Sequence, residues 1–401
     1  MALDIRRLPR LNGDFFPALL LLSIYGFALS LLLGRGTYQP SLYLCALATA
    51  GMLVFRRDEI RPERPTLVFL GLGSILLAQG LAMAGDRLTG GFHIALSWTM
   101  LVVFAIQLLP ERFRECRPPS HAAVAAVCLL VFVLAQVAAY PLKLNKAGLF
   151  SNLHYLALFS VITLPLLFYF ALAVQGARRG LYALALVGDF WLLMKTQSRP
   201  GFVALLAGAL ATLPFLSRPY RWAALLAIVL LPTLLYVTGV FGFAARVDDL
   251  AANFLAEERV AIWRETWAMQ TRSSALEWWL GHGFGGYFWD YQSVSSFHGV
   301  EEFTFPHNYF LELLYSHGIA GLAIVSIAYG LFFGKLASAT SSCHDTTQKL
   351  VGVVLIGMAS ADLVLGFLTL PLFSRHNLYP FSLILGASLY YLRNNAPHER
   401  T

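Results

Sequence analysis

Long apolar runs alternate with short polar connections along almost the whole chain. The runs are long enough to cross a hydrocarbon layer of about 30 Å as helices. Hydrophobic residues make up 58% of the 401 residues and charged residues only 13%, a composition typical of multi-span helical membrane proteins. The pattern predicts an all-α integral membrane protein with twelve spans, at 15–33, 38–55, 66–84, 91–109, 120–140, 153–175, 180–196, 200–216, 221–241, 307–333, 348–372 and 379–393.

One long polar segment, rich in aromatic residues, interrupts this pattern between spans nine and ten. It covers residues 242–306 and contains two amphipathic stretches, at 253–272 and 277–280. A membrane protein keeps irregular polar backbone mainly where it meets water or lines a cavity. Since this one long loop stands among many short ones, it is the expected place for chemistry. We therefore predict a single polytopic domain over 1–401, with 242–306 as a lid of short helices.

The distribution of lysine and arginine predicts the orientation of the chain. With twelve spans both termini share one side, which carries 18 of the 29 Lys and Arg residues. The short loops of the opposite side carry seven and the long loop four. The positive-inside rule therefore places the termini in the cytoplasm and the long loop in the periplasm. The net charge of +7 reports this topology and does not indicate a nucleic-acid partner.

His307 is the first candidate for chemistry, because it follows Pro306 where the polar loop turns into an apolar helix. The residues His307, Leu311, Leu314 and Gly318 step by four, three and four, which places them on one helix face. An imidazole at a helix N-terminus favours its neutral form, which can accept a proton. The alternative is that His307 is only a capping or interfacial residue.

Basic residues near the same side form the second set of candidates. Arg199, with Lys195 one turn away, lies in a tight turn between two spans and suits an anion such as a diphosphate. The alternative is that Arg199 anchors the helix at the membrane surface. Arg259 and Arg264 are five residues apart and point in different directions, so at most one of them should bind the same anion as Arg199. We favour Arg259, because Trp263 one turn away could press that face onto the membrane portion.

Three other features are less specific. The segment Gly281-His-Gly-Phe-Gly-Gly286 lacks the strand-to-helix context of a nucleotide site, so a flexible turn over a ligand is expected, with His282 as a phosphate contact or an exposed histidine. Asp189 lies inside an apolar span, where ionisable groups are usually functional. No spacing of His, Cys, Asp or Glu predicts a metal site, although acidic residues of the lid could bind a divalent cation.

Taken together, the order and spacing of these motifs resemble the O-antigen ligase family, membrane glycosyltransferases that share a core with O-antigen polymerases. One departure is His317, because the family often has an acidic residue just before the glycine that matches Gly318. The motifs that carry the resemblance are Ser198-Arg199, the stretch from Arg259 to Trp263, Gly281-His-Gly-Phe-Gly, His307-Asn-Tyr-Phe-Leu-Glu-Leu-Leu and Gly318-Ile-Ala-Gly321.

The resemblance implies a fold similar to the GT-C type and an inverting transfer at the periplasmic face of the bacterial inner membrane. The donor would be a polysaccharide on undecaprenyl diphosphate and the acceptor a sugar hydroxyl of lipid A–core, with membrane lipid around both and no metal or cofactor. A polymerase and a lipid-linked glycan transporter are the alternatives. The implied catalytic residues are His307, Arg199 and Arg259, and the implied substrate contacts are Lys195, Arg264, His282 and Trp263.

Overall fold

The computed structural model of the chain describes residues 15–33, 38–55, 60, 63–88, 91–109, 129–131, 133–141, 153–253, 257–296, 305–370 and 372–395. Over these residues the protein is helical without strands, which confirms the all-α prediction. The α-helices are α1 (Phe15–Leu33), α2 (Tyr38–Phe55), α3 (Arg64–Ala84), α4 (Phe92–Gln107), α5 (Leu129–Ala139), α6 (Leu153–Ala173), α7 (Ala177–Thr196), α8 (Arg199–Thr212), α9 (Arg218–Thr238), α10 (Phe243–Asn253), α11 (Glu258–Thr271), α12 (Ala275–Leu280), α13 (Gly286–Val294), α14 (Tyr309–Ser342), α15 (Thr346–Leu368) and α16 (Arg375–Asn395).

Within the described residues, six helices are long and apolar enough to cross a membrane, namely α2, α3, α6, α9, α14 and α15. Shorter apolar stretches lie in α1, α4, α5 and α8. The helices α7 and α16 have similar lengths, 20 and 21 residues, but carry more polar groups, including Asp189 in α7 and Asn377 in α16. The chain is therefore a multi-pass membrane protein, while the count of twelve crossings stays a prediction.

The predicted spans agree well in position with these helices. A helix lies at each predicted span from 15–33 to 91–109 and from 153–175 to 379–393. The largest difference is at 307–333, where the helix continues to Ser342. The part of the predicted span 120–140 before Leu129, and residues 254–256 and 297–304 of the predicted lid, lie outside the described residues.

The helix α15 forms the centre of the bundle. It packs closely against α8, where a Cβ added at Gly208 would lie 2.6 Å from the carbonyl oxygen of Gly357. Small residues at such a crossing let two backbones approach and gain van der Waals contact, which drives association in lipid. In its most apolar window 67% of α15 is buried, against 6% for α9. The bundle therefore encloses α15, while most of α9 is left uncovered by protein.

The carboxylate of Asp189 joins α6 to α7. Ser160 donates its hydroxyl hydrogen to Asp189 at 2.7 Å, and Thr163 does so at 2.5 Å. Hydrogen bonds of this kind compensate for the removal of a carboxylate from water. The structure thus gives this intramembrane residue a packing partner on the neighbouring helix.

The helix α14 is broken at Gly318, which has φ 62° and ψ −166°. An unbroken helix of its 34 residues would be about 50 Å long, which exceeds the hydrocarbon thickness of about 30 Å. The break separates a first part, residues 309–317, which is buried except at Phe310, from the remainder. The expectation that His307 to Gly318 share one helix face is therefore wrong, because the helix begins at Tyr309 and its backbone leaves helical geometry at Gly318.

The glycine-rich segment 281–286 is docked onto this break. The N–H groups of His282 and Gly283 donate to the carbonyls of Tyr315 and Ser316, both at 2.8 Å. Gly283 has φ 76°, and a Cβ there would lie 2.2 Å from the backbone nitrogen of Ala84 in α3. The structure gives these glycines a packing role between two helices, which differs from the flexible turn expected from the sequence.

The orientation of the chain can be tested at Ser293, an exposed residue of α13 within the predicted periplasmic loop. Because positive charge concentrates on the side of the termini, we expect an alkaline phosphatase fusion at Ser293 to be active. A fluorescent protein that folds only in the cytoplasm should stay dark when fused there. The reverse pair of results would place the loop in the cytoplasm and would invert the topology.

Candidate active site

The turn between α7 and α8 presents Arg199. The helix α7 ends at Gln197 in a left-handed conformation, and Ser198 caps α8 by accepting a hydrogen bond from the N–H of Gly201 at 3.1 Å. Arg199 is therefore the first residue of α8, where Pro200 fits the first turn. These local preferences hold the arginine at the end of the bundle where α10 and α11 lie.

Two carboxylates from the lid occupy the guanidinium of Arg199. Its Nη1 lies 2.5 Å from Glu257 Oε1, and its Nη2 lies 2.7 Å from Asp249 Oδ2. Hydrogen bonds from Asn253 and Arg199 hold the pKa of Asp249 below its usual range. The same fork of donors that binds two carboxylates can bind two oxygens of a phosphate or diphosphate.

A cavity of about 120 Å³ opens beside this turn. Arg199 and Arg246 stand at it, and Arg246 donates to the backbone carbonyl of Gln197 at 3.1 Å and also bonds the Gln197 side chain. Most of the remaining lining is apolar: Leu193, Met194, Phe202, Val203, Phe241, Phe243 and Val247. The cavity therefore combines cationic groups with an apolar wall.

Arg259 lies on α11, where its side chain is partly buried. Burial lowers the pKa of Arg259, the carboxylate of Glu257 acts in the opposite direction, and the charge of Arg199 lowers it further. Arginine nevertheless keeps its charge in proteins. The effect of Arg199 on Arg259 indicates that α8 and α11 bring the two guanidinium groups into one electrostatic neighbourhood.

His307 lies just outside α14, whose N-cap is Asn308. It has φ 53°, in the left-handed region, and its Nδ1 lies 2.8 Å from the carbonyl oxygen of Thr369. A carbonyl can only accept, so Nδ1 carries the hydrogen and Nε2 is the basic nitrogen of the neutral ring. The ring of Phe305 lies 4.3 Å from the imidazole, centroid to centroid. His307 is therefore a base with a defined tautomer, located directly after the lid segment in the chain.

His154 joins the site, although the sequence analysis did not select it. It is the second residue of α6 and interacts electrostatically with both Arg259 and His307. It therefore links the lid arginine to the histidine before α14. The signal used for His307, a histidine where a polar connection becomes an apolar helix, also applies to His154.

The other predicted contact residues lie at different places. Lys195 is exposed, with its ammonium 5.7 Å from the ring centroid of Trp191 and 5.6 Å from that of Phe241. Arg264 is exposed on α11. Trp263 is one turn from Arg259, and its indole Nε1 is buried without a hydrogen-bond partner among the described residues. A buried donor of this kind suits a ligand oxygen.

His282 belongs to a separate polar network between α12, α13 and α14. Its Nε2 lies 2.8 Å from the hydroxyl of Ser273, and its Nδ1 lies 3.5 Å from carboxylate oxygens of both Glu277 and Asp290. Its ring stacks on Tyr315 at 4.2 Å. Burial lowers the pKa of His282, while the two carboxylates act in the opposite direction. In the structure these contacts of His282 are therefore made with protein groups of this network.

One further residue, His317, completes the description of the region. His317 is fully buried, with Nε2 3.1 Å from the carbonyl oxygen of Leu76, which agrees with a packing role. Among the residues that the structure describes, no group of three or more His, Cys, Asp or Glu side chains could hold a metal ion.

A comparison with protein-family models matches residues 183–326 to the family described as O-antigen ligase. The match supports assigning this chain to the O-antigen ligase family. The resemblance stated from the sequence is thereby confirmed. The matched stretch includes Arg199, Arg259 and His307, whereas His154 and Thr369 lie outside it. A search of curated proteins gave no match.

The O-antigen ligase assignment supports a glycosyltransferase-like activity of the ligase or polymerase type. Together with the apolar helices, it suggests lipid-linked glycans and membrane lipid as partners. The residues that surround Arg199, Arg259 and His307 are therefore the candidate active site of such an enzyme.

Proposed function

We propose that this protein is an O-antigen ligase. It transfers a polysaccharide from undecaprenyl diphosphate to a sugar hydroxyl of lipid A–core, at the periplasmic face of the bacterial inner membrane. The observation that carries the proposal is a chain of electrostatic neighbours, in which the charge of Arg199 acts on Arg259 and those of Arg259 and His307 act on His154. This set combines cations for a diphosphate with a base for a hydroxyl group.

The arginines stabilise the leaving group. As the bond between the anomeric carbon and the diphosphate oxygen breaks, its electron pair and negative charge pass to the diphosphate. Fixed cations aimed at developing charge are among the largest contributions to catalysis. Arg199 and Arg259 supply that charge from α8 and α11, and the buried indole N–H of Trp263 can donate to a further oxygen. In this mechanism the arginines carry the role that a metal ion has in other transferases.

His307 activates the acceptor. The hydroxyl oxygen of the acceptor sugar attacks the anomeric carbon, and its proton passes to Nε2 of His307. The diphosphate leaves from the opposite face of the carbon, so the configuration at that carbon inverts. The carbonyl of Thr369 at Nδ1 holds the imidazole in the tautomer that this step needs.

The surroundings suit lipid-linked substrates. The cavity at Arg199 has apolar walls beside two arginines, which fits a diphosphate attached to a hydrocarbon chain. The helix α9 ends at Thr238, and the next α-helix along the chain, α10, belongs to the lid. Most of the surface of α9 is uncovered by protein. A lipid substrate can therefore approach from the bilayer without crossing a wall of helices.

A polymerase is the second candidate, because the family assignment covers both reactions. The lipopolysaccharide profile of a deletion strain separates the two. Loss of a ligase leaves long glycan chains on undecaprenyl diphosphate and core without O-antigen. Loss of a polymerase leaves core that bears one repeat unit. A deletion strain with a wild-type profile would reject both reactions.

The two arginines provide a direct test of donor binding. Replacing Arg199 or Arg259 with Ala should reduce transfer by about 10²–10³-fold, since each removes a donor to the leaving group. Lysine at either position should restore only part of the rate, because it keeps the charge but loses the planar fork. The measurement is transfer by purified, folded protein. Near-normal rates for both Ala variants would place the diphosphate elsewhere, with Lys195, Arg264 and His282 as the next candidates.

A matched variant should act in the opposite direction. Glu257→Gln keeps Arg199 and removes one of the carboxylates that compete for its guanidinium. Since a partly exposed ion pair is worth up to about 1 kcal/mol, donor affinity should rise by about two- to five-fold. Weaker binding in this variant would mean that Glu257 helps to build the site rather than competing with the donor.

His307 can be tested as a base or as a cation. As a base, His307→Ala should lose about 10²–10⁴-fold in turnover while undecaprenyl diphosphate binds with near-unchanged affinity. The wild-type rate should fall as pH drops below the pKa of the imidazole, because protonation removes the base. If His307 instead binds the diphosphate, donor affinity should weaken in the variant and low pH should tighten binding. Normal turnover would leave His307 as a structural residue before α14.

A further inference from the structure

A buried carboxylate holds the connection between α15 and α16. Glu312, in the first turn of α14, is 5% exposed. Its Oε2 accepts a hydrogen bond from the backbone N–H of Leu372 at 2.6 Å, and its Oε1 accepts one from the N–H of Phe373 at 3.3 Å. Removing a carboxylate from water is unfavourable unless such bonds compensate. The two bonds therefore fix the connection firmly against α14.

The same connection orients His307. The helix α15 ends at Leu368, and Thr369 follows as its C-cap, with its N–H bonded to the carbonyl of Leu365 at 2.9 Å. The carbonyl of Thr369 then accepts the Nδ1 hydrogen of His307. His307 precedes the N-cap of α14, so the regular bonds of that helix do not hold it. The carbonyl of Thr369 is therefore a hydrogen-bond partner that orients its ring.

We propose that Glu312 is a positioning residue for His307, acting through the described residues 369–370 and 372–373 of the connection between α15 and α16. It binds the N–H groups at the far end of the connection, while His307 binds the carbonyl at the near end. The side chain of His307 thus binds one end of this short backbone segment, and the side chain of Glu312 binds the other end. This inference rests on the proposed role of His307 as the base.

A positioning role differs from a purely structural one in its effect on basicity. The bond from Nδ1–H to a fixed carbonyl stabilises the imidazolium that forms when Nε2 takes a proton, and so makes Nε2 more basic. Among the described residues, His154 on α6 interacts electrostatically with His307 and with Arg259 on α11, and Glu312 follows His307 by five residues on α14. Removing the Glu312 bonds loosens the carbonyl and weakens Nε2 as a base.

The test is Glu312→Gln in the full-length, purified protein. The amide keeps the shape of the side chain but turns one acceptor into a donor that faces a backbone N–H. We expect turnover to fall by about 10–100-fold, as is usual when a partner that orients a functional histidine is lost. Affinity for undecaprenyl diphosphate should stay within about twofold. The acidic limb of the pH–rate profile should move to lower pH, because a weaker base protonates at lower pH.

Two further variants make the result specific. Asp189→Asn is the matched control, since it converts another buried carboxylate of the bundle to an amide at a place where hydroxyl groups of Ser160 and Thr163 can adapt. It should keep the wild-type pH profile. Glu312→Asp keeps the charge with a shorter reach, and should restore part of the turnover and of the profile. Because it retains both acceptor oxygens, it also provides the measurement if Glu312→Gln does not fold.

The outcomes separate this inference from the proposed function. A wild-type profile in the folded Gln variant overturns the positioning role, as does a turnover loss that Asp189→Asn reproduces. If the Gln variant does not fold, an Asp variant that loses turnover with an unshifted profile overturns it instead. A turnover loss with an unmoved acidic limb also overturns it, and leaves Glu312 as a support of the fold. If His307→Ala itself keeps normal turnover, the proposed base is wrong. If that variant is inactive while Glu312→Gln is normal, only the positioning role is wrong.

Discussion

The break in α14 frees backbone carbonyl groups that need hydrogen-bond donors inside a membrane protein. The arrangement of the site depends on which segments supply those donors. Unsatisfied backbone polar groups in a low-dielectric interior are strongly unfavourable. The segment after α12 provides N–H donors to the carbonyls of Tyr315 and Ser316, and Gln79 donates to the carbonyl of His317 at 2.7 Å. The break therefore exists only together with the docked lid. This couples the first part of α14, which begins two residues after His307, to the lid helices that the sequence predicts to be periplasmic.

The sequence predicts the helices well, because apolar runs of membrane length have few alternative structures. It also selects Arg199 and His307, since each stands where a polar connection meets a helix. It does not predict the break at Gly318, because a single glycine in an apolar run is compatible with a continuous helix. His154 precedes His307 by more than 150 residues, and Thr369 follows it by more than 60. Only the packing of α6 and α15 brings these residues together. Tertiary contacts of this kind have no local signal.

The charges of the site are balanced within the protein. Arg199 and Arg259 would repel each other in a weakly solvated position, and Asp249 and Glu257 reduce that repulsion by approaching Arg199. These carboxylates sit on the lid, whereas Arg199 sits on the bundle. The ion pairs therefore fasten the lid to the bundle. An anion that takes over the guanidinium replaces a contact between two parts of the protein by a contact with the ligand.

The close crossing of α8 and α15 has a geometric consequence. Arg199 begins α8, Thr369 follows the end of α15, and the two helices touch at Gly208 and Gly357. From the crossing the two helix ends are nine and twelve residues away, or about 14 and 18 Å along their axes. The position of this crossing therefore affects both helix ends: the start of α8, which carries the guanidinium of Arg199, and the end of α15, where the carbonyl of Thr369 bonds the imidazole of His307. A methyl group at Gly208 would collide with the carbonyl of Gly357 and push the two helices apart, so the spacing of the ends that carry Arg199 and Thr369 depends on this glycine.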